Sequence, residues 1–395
     1  MLGSADQGSF MRRIGVGILG AMTFGLASAS ARLPDAAAIE RLAHKAMSET
    51  GAKGLAVAVI HGGQVRSAQA FGARNAKGDP LTTRTVMYGA SLTKTLFGYY
   101  VLMLVDEGRL DLDRPLGTML PQPLADYGNL DAYGNWGDLA GDERWRQVTA
   151  RHVLTHSVGF ANFSFLEPDG KLRFHFDPGV RYAYSGEGIL LLQFALDRGL
   201  KFDTGVEMER RLFRPLGMMS TSLKWRPAFA ANLADGWKAD GSVEPHDERS
   251  RVRAAGSMDT TIGDLARFTA AMARGWGLSK RARAEMSKPQ LPITTRSQFP
   301  TLQAEAAPQD RRAGLAAGLG VIAFSGRQGR GFMKGGHNDS TANTLVCLEK
   351  KRRCVLIMAN DVRAEAAFPS LVRSILGDTG VPYVWEYPNL FKDEL

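Results

Sequence analysis

The chain has 395 residues, 44% hydrophobic and 23% charged, with Gly 44 and Pro 17. That is long enough and apolar enough for a large α/β domain, and it excludes collagen-like and disordered classes. Two cysteines cannot make a disulfide-dense scaffold or a four-thiolate zinc site. The net charge of +9 carries no basic cluster that would mark a nucleic-acid face, because the largest run, Lys350-Lys351-Arg352-Arg353, lies between two apolar stretches and reads as a solvated hairpin turn.

In chain order, Arg12-Arg13 precede an apolar run over residues 14–26, followed by Ala27-Ser28-Ala29-Ser30-Ala31 with two overlapping small-residue cleavage sites. This reads as a signal peptide over 1–31, with Met11 an alternative start. The run is shorter than the roughly 20 residues that span a bilayer, so no stable membrane anchor is expected. Gly15-Val16-Gly17-Ile18-Leu19-Gly20 matches a dinucleotide-binding pattern but lacks the βαβ context that gives it meaning.

From Asp35, the apolar positions Ile39, Leu42, Ala43, Ala46 and Met47 share one helical face, and Gly51 ends the pattern. Two runs, 55–60 and 65–71, joined through His61-Gly62-Gly63-Gln64, predict a β-hairpin. A helix is expected over 91–107, stopped by Gly108. Residues 110–252, rich in Trp, Gly and Pro, predict an inserted, mostly helical subdomain between two α/β parts, 32–109 and 253–380, with 381–395 as a tail.

Thr261-Ile262-Gly263-Asp264 opens another helix with capping-box-like spacing. Strands are expected over 320–324, 344–348 and 354–358, with a closing helix over 364–376. The sum is an α/β fold with a five-stranded antiparallel sheet flanked by helices. A two-residue turn at Lys350-Lys351 sets Cys347 opposite Cys354, and an exported protein would oxidise them to a disulfide. Lys392-Asp393-Glu394-Leu395 matches a retrieval signal. Asn338-Asp339-Ser340 is a glycosylation acceptor in a position that argues against lumenal residence, so the expected location is periplasmic or secreted.

Ser91-Leu92-Thr93-Lys94 is the only Ser-x-x-Lys in the chain. Three residues apart on a helix, the two side chains share a face, close enough for the amine to hold the hydroxyl. At a helix N-terminus the hydroxyl also receives the positive end of the dipole, and a Lys buried between apolar residues loses its proton more easily. The tetrapeptide alone is weak evidence. His152 and His156 stand at helical spacing, but Val153 occupies the place of a metalloprotease Glu and no third ligand is evident, so a structural helix and no metal are expected. No Gly-x-Ser-x-Gly elbow or phosphate loop is present.

The segments Gly89-Ala90-Ser91-Leu92-Thr93-Lys94, Leu110-Asp111-Leu112-Asp113-Arg114-Pro115, Thr149-Ala150-Arg151-His152-Val153-Leu154-Thr155-His156-Ser157, Tyr182-Ala183-Tyr184-Ser185-Gly186, Ala254-Ala255-Gly256-Ser257 and Lys334-Gly335-Gly336 follow one another in the order found in one family. Together they resemble the serine β-lactamase and penicillin-binding-protein superfamily, specifically its class C β-lactamase, D-amino-peptidase and esterase branch, over nearly all of 35–380. The resemblance implies a β-lactamase/transpeptidase-like fold and catalysis without cofactor. It implies Ser91 as nucleophile, Lys94 as its activating amine, Tyr184 as proton relay and Lys334 beside the cleft. Tyr184 would act as a base through two lysines lowering its pKa. Gly335, Gly336 and His337 would bind substrate, with the backbone N–H groups of Ser91 and His337 forming an oxyanion hole.

Two departures stand out. Gly186, followed by Glu187, replaces the Asn of a Tyr-x-Asn motif, and Gly335 replaces the Thr of the third motif. Both count against an efficient β-lactamase. The expectation is an exported serine hydrolase of small esters, amides or D-amino peptides, whose partners are small-molecule substrates. A weak β-lactamase or D,D-carboxypeptidase is one rival, and a silent cell-wall-peptide-binding member is the other. The sequence leaves the oligomeric state open. Trp136, Trp145 and Tyr133 are assigned to core packing rather than to a pocket wall.

Overall fold

Asp35 starts the first helix, α1 (Ala36–Thr50), by accepting a hydrogen bond from the Ala38 N–H at 2.8 Å, and Gly51 ends it in the left-handed region at φ 72. The structure is a computed structural model that describes residues 33–391. The signal-peptide reading, the discarded glycine pattern and the Lys392-Asp393-Glu394-Leu395 motif lie outside the described residues.

The predicted hairpin forms as β1 (Gly54–His61) and β2 (Gln64–Gly72), with Gly62 and Gly63 both at positive φ in the two-residue turn. The later strands are β3 (Leu291–Pro292), β4 (Ala316–Ala317), β5 (Ile322–Gly326), β6 (Gly329–His337), β7 (Ala342–Leu348) and β8 (Arg353–Ala359). They make one antiparallel sheet in the order β2-β1-β8-β7-β6-β5-β4-β3. The α/β architecture is as expected, but the sheet has eight strands rather than five. Two of the additions are two-residue strands at the edge. The third, β6, is central, and its sequence GRGFMKGGH holds four glycines, so neither β-propensity nor alternation marks it. It is a strand because β5 and β7 pair with it on either side.

Each central strand is buried on both faces, and its side chains divide between two cores. Ala56, Ala58 and Ile60 of β1 and Leu356 and Met358 of β8 join α2 (Leu92–Asp106) and a helix over Ile262–Arg274 on one face. Leu55, Val57 and Val59, with Val355 and Ile357, face α1 and the helix Phe368–Leu376 on the other. Truncating one of these fully buried aliphatics, Ile357 for example, costs about 2–5 kcal/mol. In the register of β7 with β8, Cys347 stands opposite Cys354, and the two form a disulfide.

Residues 110–252 contain short helices, many single 3-10 turns and one longer helix, α4 (Gly186–Gly199); α3 (Ala150–Leu154) precedes it. Trp136, Ile189 and Phe194 of this segment lie in the same hydrophobic cluster as Leu96 and Phe97 of α2. The segment thereby fixes α2 from the side away from the sheet.

Candidate active site

Ser91 is the residue at which the chain enters α2. A short antiparallel pairing of Met87–Tyr88 with Asp259–Thr260 brings the chain to that point, and Ala90 turns it through the left-handed region at φ 45. The N–H groups of Leu92, Thr93 and Lys94 bond back to Gly89, Ala90 and Ser91, making a tight first turn. Ser91 does not cap the helix with its side chain. Its hydroxyl is free to meet Lys94, whose Nζ lies 3.0 Å from Ser91 Oγ and donates to the Ala255 carbonyl at 2.5 Å. Lys94 is 1% exposed. Burial, reinforced by the charge of Lys334, drives its pKa well below the usual ammonium value, which favours a neutral amine.

Tyr184 is supplied by the loop that ends where Ser185 caps α4. Its hydroxyl lies close enough to Ser91 for that residue to oppose the rise in its pKa, and Lys334 Nζ donates to it at 3.3 Å. Both lysine ammonium positions lie over the Tyr184 ring, at 4.8 and 4.9 Å from its centroid. The four expected catalytic side chains therefore converge. One expectation is corrected: the two lysines do not lower the Tyr184 pKa. Burial pushes it above its ordinary value, only partly opposed by the contact with Ser91, and the nearby charge of Glu386 adds to the rise. Tyr184 is a neutral phenol, able to donate and pass on a proton rather than to start as a base.

Lys334 is itself lowered to about 8 by burial, against the pull of Glu386. Glu386 is raised to about 7 by burial, against the pull of Lys334. Glu386 comes from a single turn of helix, α5 (Tyr383–Glu386), inside the segment read from sequence as a tail. Gln298 Nε2 donates to its Oε1 at 3.3 Å, and Tyr182 holds Gln298 in turn.

The β6 segment from Lys334 to His337 runs past the end of β5, whose Ile322 stands opposite Met333, so its edge on that side is unpaired and faces the cleft. A Cβ added at Gly336 would sit 3.0 Å from Ser91 N and 2.9 Å from Leu92 N. The strand can approach the helix N-terminus so closely only because residue 336 is glycine. This brings Gly336, the residue before His337, against the Ser91 N–H. The His337 ring turns aside, with Nδ1 3.1 Å from Glu365 Oε2 and the ring stacked on Tyr387. The pull of Glu365 raises its pKa despite burial.

Glycines mark both departures. A Cβ at Gly335 would lie 2.2 Å from Glu386 Oε1, and one at Gly186 would lie 2.5 Å from the Phe163 ring. Glu386 and Phe163 thus occupy the space that side chains at 335 and 186 would take. An amide returns from another segment: Gly186 N–H donates to Asn162 Oδ1 at 2.9 Å, and Asn162 lines the cleft. Asn162, Phe163, Phe165, Glu386 and Tyr387 all went unmarked in sequence, since none sits in a recognisable motif.

The cleft has a volume of about 760 Å³. Its mouth carries Phe165 and Leu166, 72% and 58% exposed, with Phe163 and Phe165 stacked. Asn338 lies on its rim. Trp136 and Trp145 are buried in the core, as expected, and Tyr133 packs against Phe194. His152 closes a capping box with Thr149, and His156 Nδ1 accepts from Ser185 N–H while its ring packs 4.4 Å from that of Tyr184. Burial keeps His156 neutral, so it buttresses Tyr184. No cluster of metal-ligating side chains occurs among the described residues.

Residues 39–376 match the family model described as Beta-lactamase. The chain is 28% identical over 226 residues to a monacolin J acid methylbutanoyltransferase of Aspergillus terreus, covering 49% of this chain and 54% of that one. It is 26% identical over 229 residues to a Beta-lactamase of Escherichia coli (strain K12), covering 54% and 55%. It spans about half the length of the curated relatives it matches. Among solved structures, an octameric penicillin-binding protein homologue from Pyrococcus abyssi superposes with TM-score 0.69 at 18% identity, over 91% of this chain and 81% of that one. The D-alanine carboxypeptidase AmpC from Burkholderia cenocepacia gives 0.66 at 20% identity, over 86% and 97%. At such identities these likenesses speak to fold alone.

Proposed function

Because the chain belongs to the beta-lactamase family of serine hydrolases and acyltransferases, we propose that it cleaves small esters or amides through an acyl-enzyme on Ser91. The observation that carries this reading is the contact of a buried amine with the hydroxyl, Lys94 Nζ at 3.0 Å from Ser91 Oγ. The proton inventory follows from the two lysines. Neutral Lys94 takes the proton of Ser91 as Oγ attacks the carbonyl carbon, and the oxyanion is held by the Ser91 and His337 N–H groups. As the bond to the leaving group breaks, Tyr184 gives its proton to the leaving oxygen or nitrogen and is refilled by Lys334. Water then attacks the acyl carbon and returns a proton through Tyr184 to Lys334, while Lys94 gives its proton back to Ser91.

The exposed apolar lip of Phe165 and Leu166 supports an apolar acyl group. A second reading, transfer of the acyl group to an alcohol instead of water, is favoured by the likeness to the Aspergillus terreus methylbutanoyltransferase. The Cys347–Cys354 disulfide supports a periplasmic or secreted protein.

Intact-mass analysis after treatment with a fluorophosphonate, a p-nitrophenyl ester and a penicillin tests the reading, with an added alcohol to partition the acyl group. The expected result is an adduct with the first two, loss of both in Ser91→Ala, and no penicilloyl adduct. A folded wild type that takes no fluorophosphonate, or labelling that survives Ser91→Ala, overturns it.

A further inference from the structure

The leaving-group end of the cleft is defined by the proton it must receive. If Tyr184 hands that proton over, the leaving atom lies beside the Tyr184 oxygen, where Lys334 Nζ also sits at 3.3 Å. The next charged group along the strand is Glu386, whose carboxylate fills the space against Gly335. It is 2% exposed and fixed by Gln298.

We propose that Glu386 is a specificity-determining residue that turns this end of the site against anionic leaving groups, so that the enzyme takes esters and amides whose leaving group is neutral or cationic. This rests on the hydrolase reading above and names its substrate class.

The charge count supports it. At this end Lys334 and His337 stand among three acidic side chains: Glu386 against Gly335, Glu365 on His337, and Asp339 on the rim. Above the pKa of about 7 that burial gives Glu386, its carboxylate offsets the charge of Lys334 within the protein, so no unbalanced ammonium is left to bind a carboxylate on the substrate. Elsewhere the cleft is lined by Asp247 and Glu248 together with Arg249, Arg251 and Arg253, and Arg249, 3.6 Å over the Tyr88 ring, is paired with Asp247 and Asp259. An acidic group on the leaving group would meet the Glu386 carboxylate. In a partly buried cleft a like charge a few ångströms away costs on the order of one factor of ten or more.

The test is a series of phenyl acetates with 3-carboxy, 3-methoxycarbonyl and 3-aminomethyl substituents, followed by phenol release in the wild type and in Glu386→Gln. The variant keeps the shape and the bond to Gln298. The wild type is expected to cleave the carboxylate ester about tenfold less efficiently, by kcat/KM, than the other two. In Glu386→Gln the ratio of neutral to anionic ester should fall severalfold toward unity. Equal cleavage of all three by the wild type overturns the inference without need of the variant. So does an unchanged ratio in a Glu386→Gln protein that still takes fluorophosphonate on Ser91. A wild type that cleaves none of the esters and takes no fluorophosphonate overturns the hydrolase reading itself, and the inference with it.

Discussion

Lys94 and Lys334 are both buried against Tyr184, yet only Lys334 has a carboxylate near enough to hold its proton. Desolvation lowers both, and the Coulomb attraction of Glu386 raises Lys334 alone. The two residues therefore divide the work of base and acid at neutral pH. The sign of the pH dependence follows. Acylation needs Lys334 protonated, so its rate is expected to fall as pH rises through about 8, the value burial gives Lys334. Glu386→Gln removes the group that supports the ammonium and should move this alkaline limb to lower pH. Burst kinetics with a p-nitrophenyl ester from neutral to alkaline pH would check both points. A limb that does not respond to Glu386→Gln would show that another group titrates there.

At the scale of elements, the site is the closest approach of β6 to the start of α2. Gly336 makes that approach possible: its missing Cβ would meet backbone nitrogen on two residues, and backbone cannot swing aside as a long side chain can. Gly336→Ala should push the strand away from Ser91 N and spoil the oxyanion hole. The expected loss in kcat is about 10²–10³-fold, the usual effect of one lost donor. The thermal unfolding temperature should also fall by a few degrees, since forcing the strand away at residue 336 disturbs its pairing with Asn343 of β7. A variant with wild-type acylation would remove the oxyanion role from this strand. The same element pairing explains Gly335. Its freedom from a side chain lets the short helix at Tyr383–Glu386 dock Glu386 into the sheet edge.

For the molecule as a whole, the sheet is enclosed by two hydrophobic cores, and the cleft opens at one end of that arrangement. Strands β1, β8 and β7 are paired on both edges and buried on both faces, whereas β3 and β4 contribute two residues each at the margin. Native-state hydrogen exchange should find the slowest amides in β1, β7 and β8 and much faster exchange at Leu291 and Ala316–Ala317. Uniform protection across the sheet would contradict this division. Both ends of the described chain close on this body: α1 packs at one face, and Trp385 and Phe391 are buried in the same core.

The sequence by itself determined what local chemistry can determine. Caps, hairpins and helical faces depend on neighbours within a few residues, so α1, β1, β2, α2 and the Cys347–Cys354 pairing were legible, and the ordered motifs pointed to Ser91, Lys94, Tyr184 and Lys334, which the fold brings together. Tertiary structure decided the rest. β6 is a strand because its neighbours pair with it, despite a glycine-rich composition that opposes the assignment. Tyr184 is a neutral phenol because burial raises its pKa more than the contact with Ser91 lowers it, a balance no motif encodes. Glu386 reaches Gly335 across 51 positions of sequence separation (386 minus 335), and Asn162 meets Gly186 from a different loop. These groups share no local pattern. They act together only because the folded chain takes them out of water in one place, where each charge and each missing side chain is felt by the others.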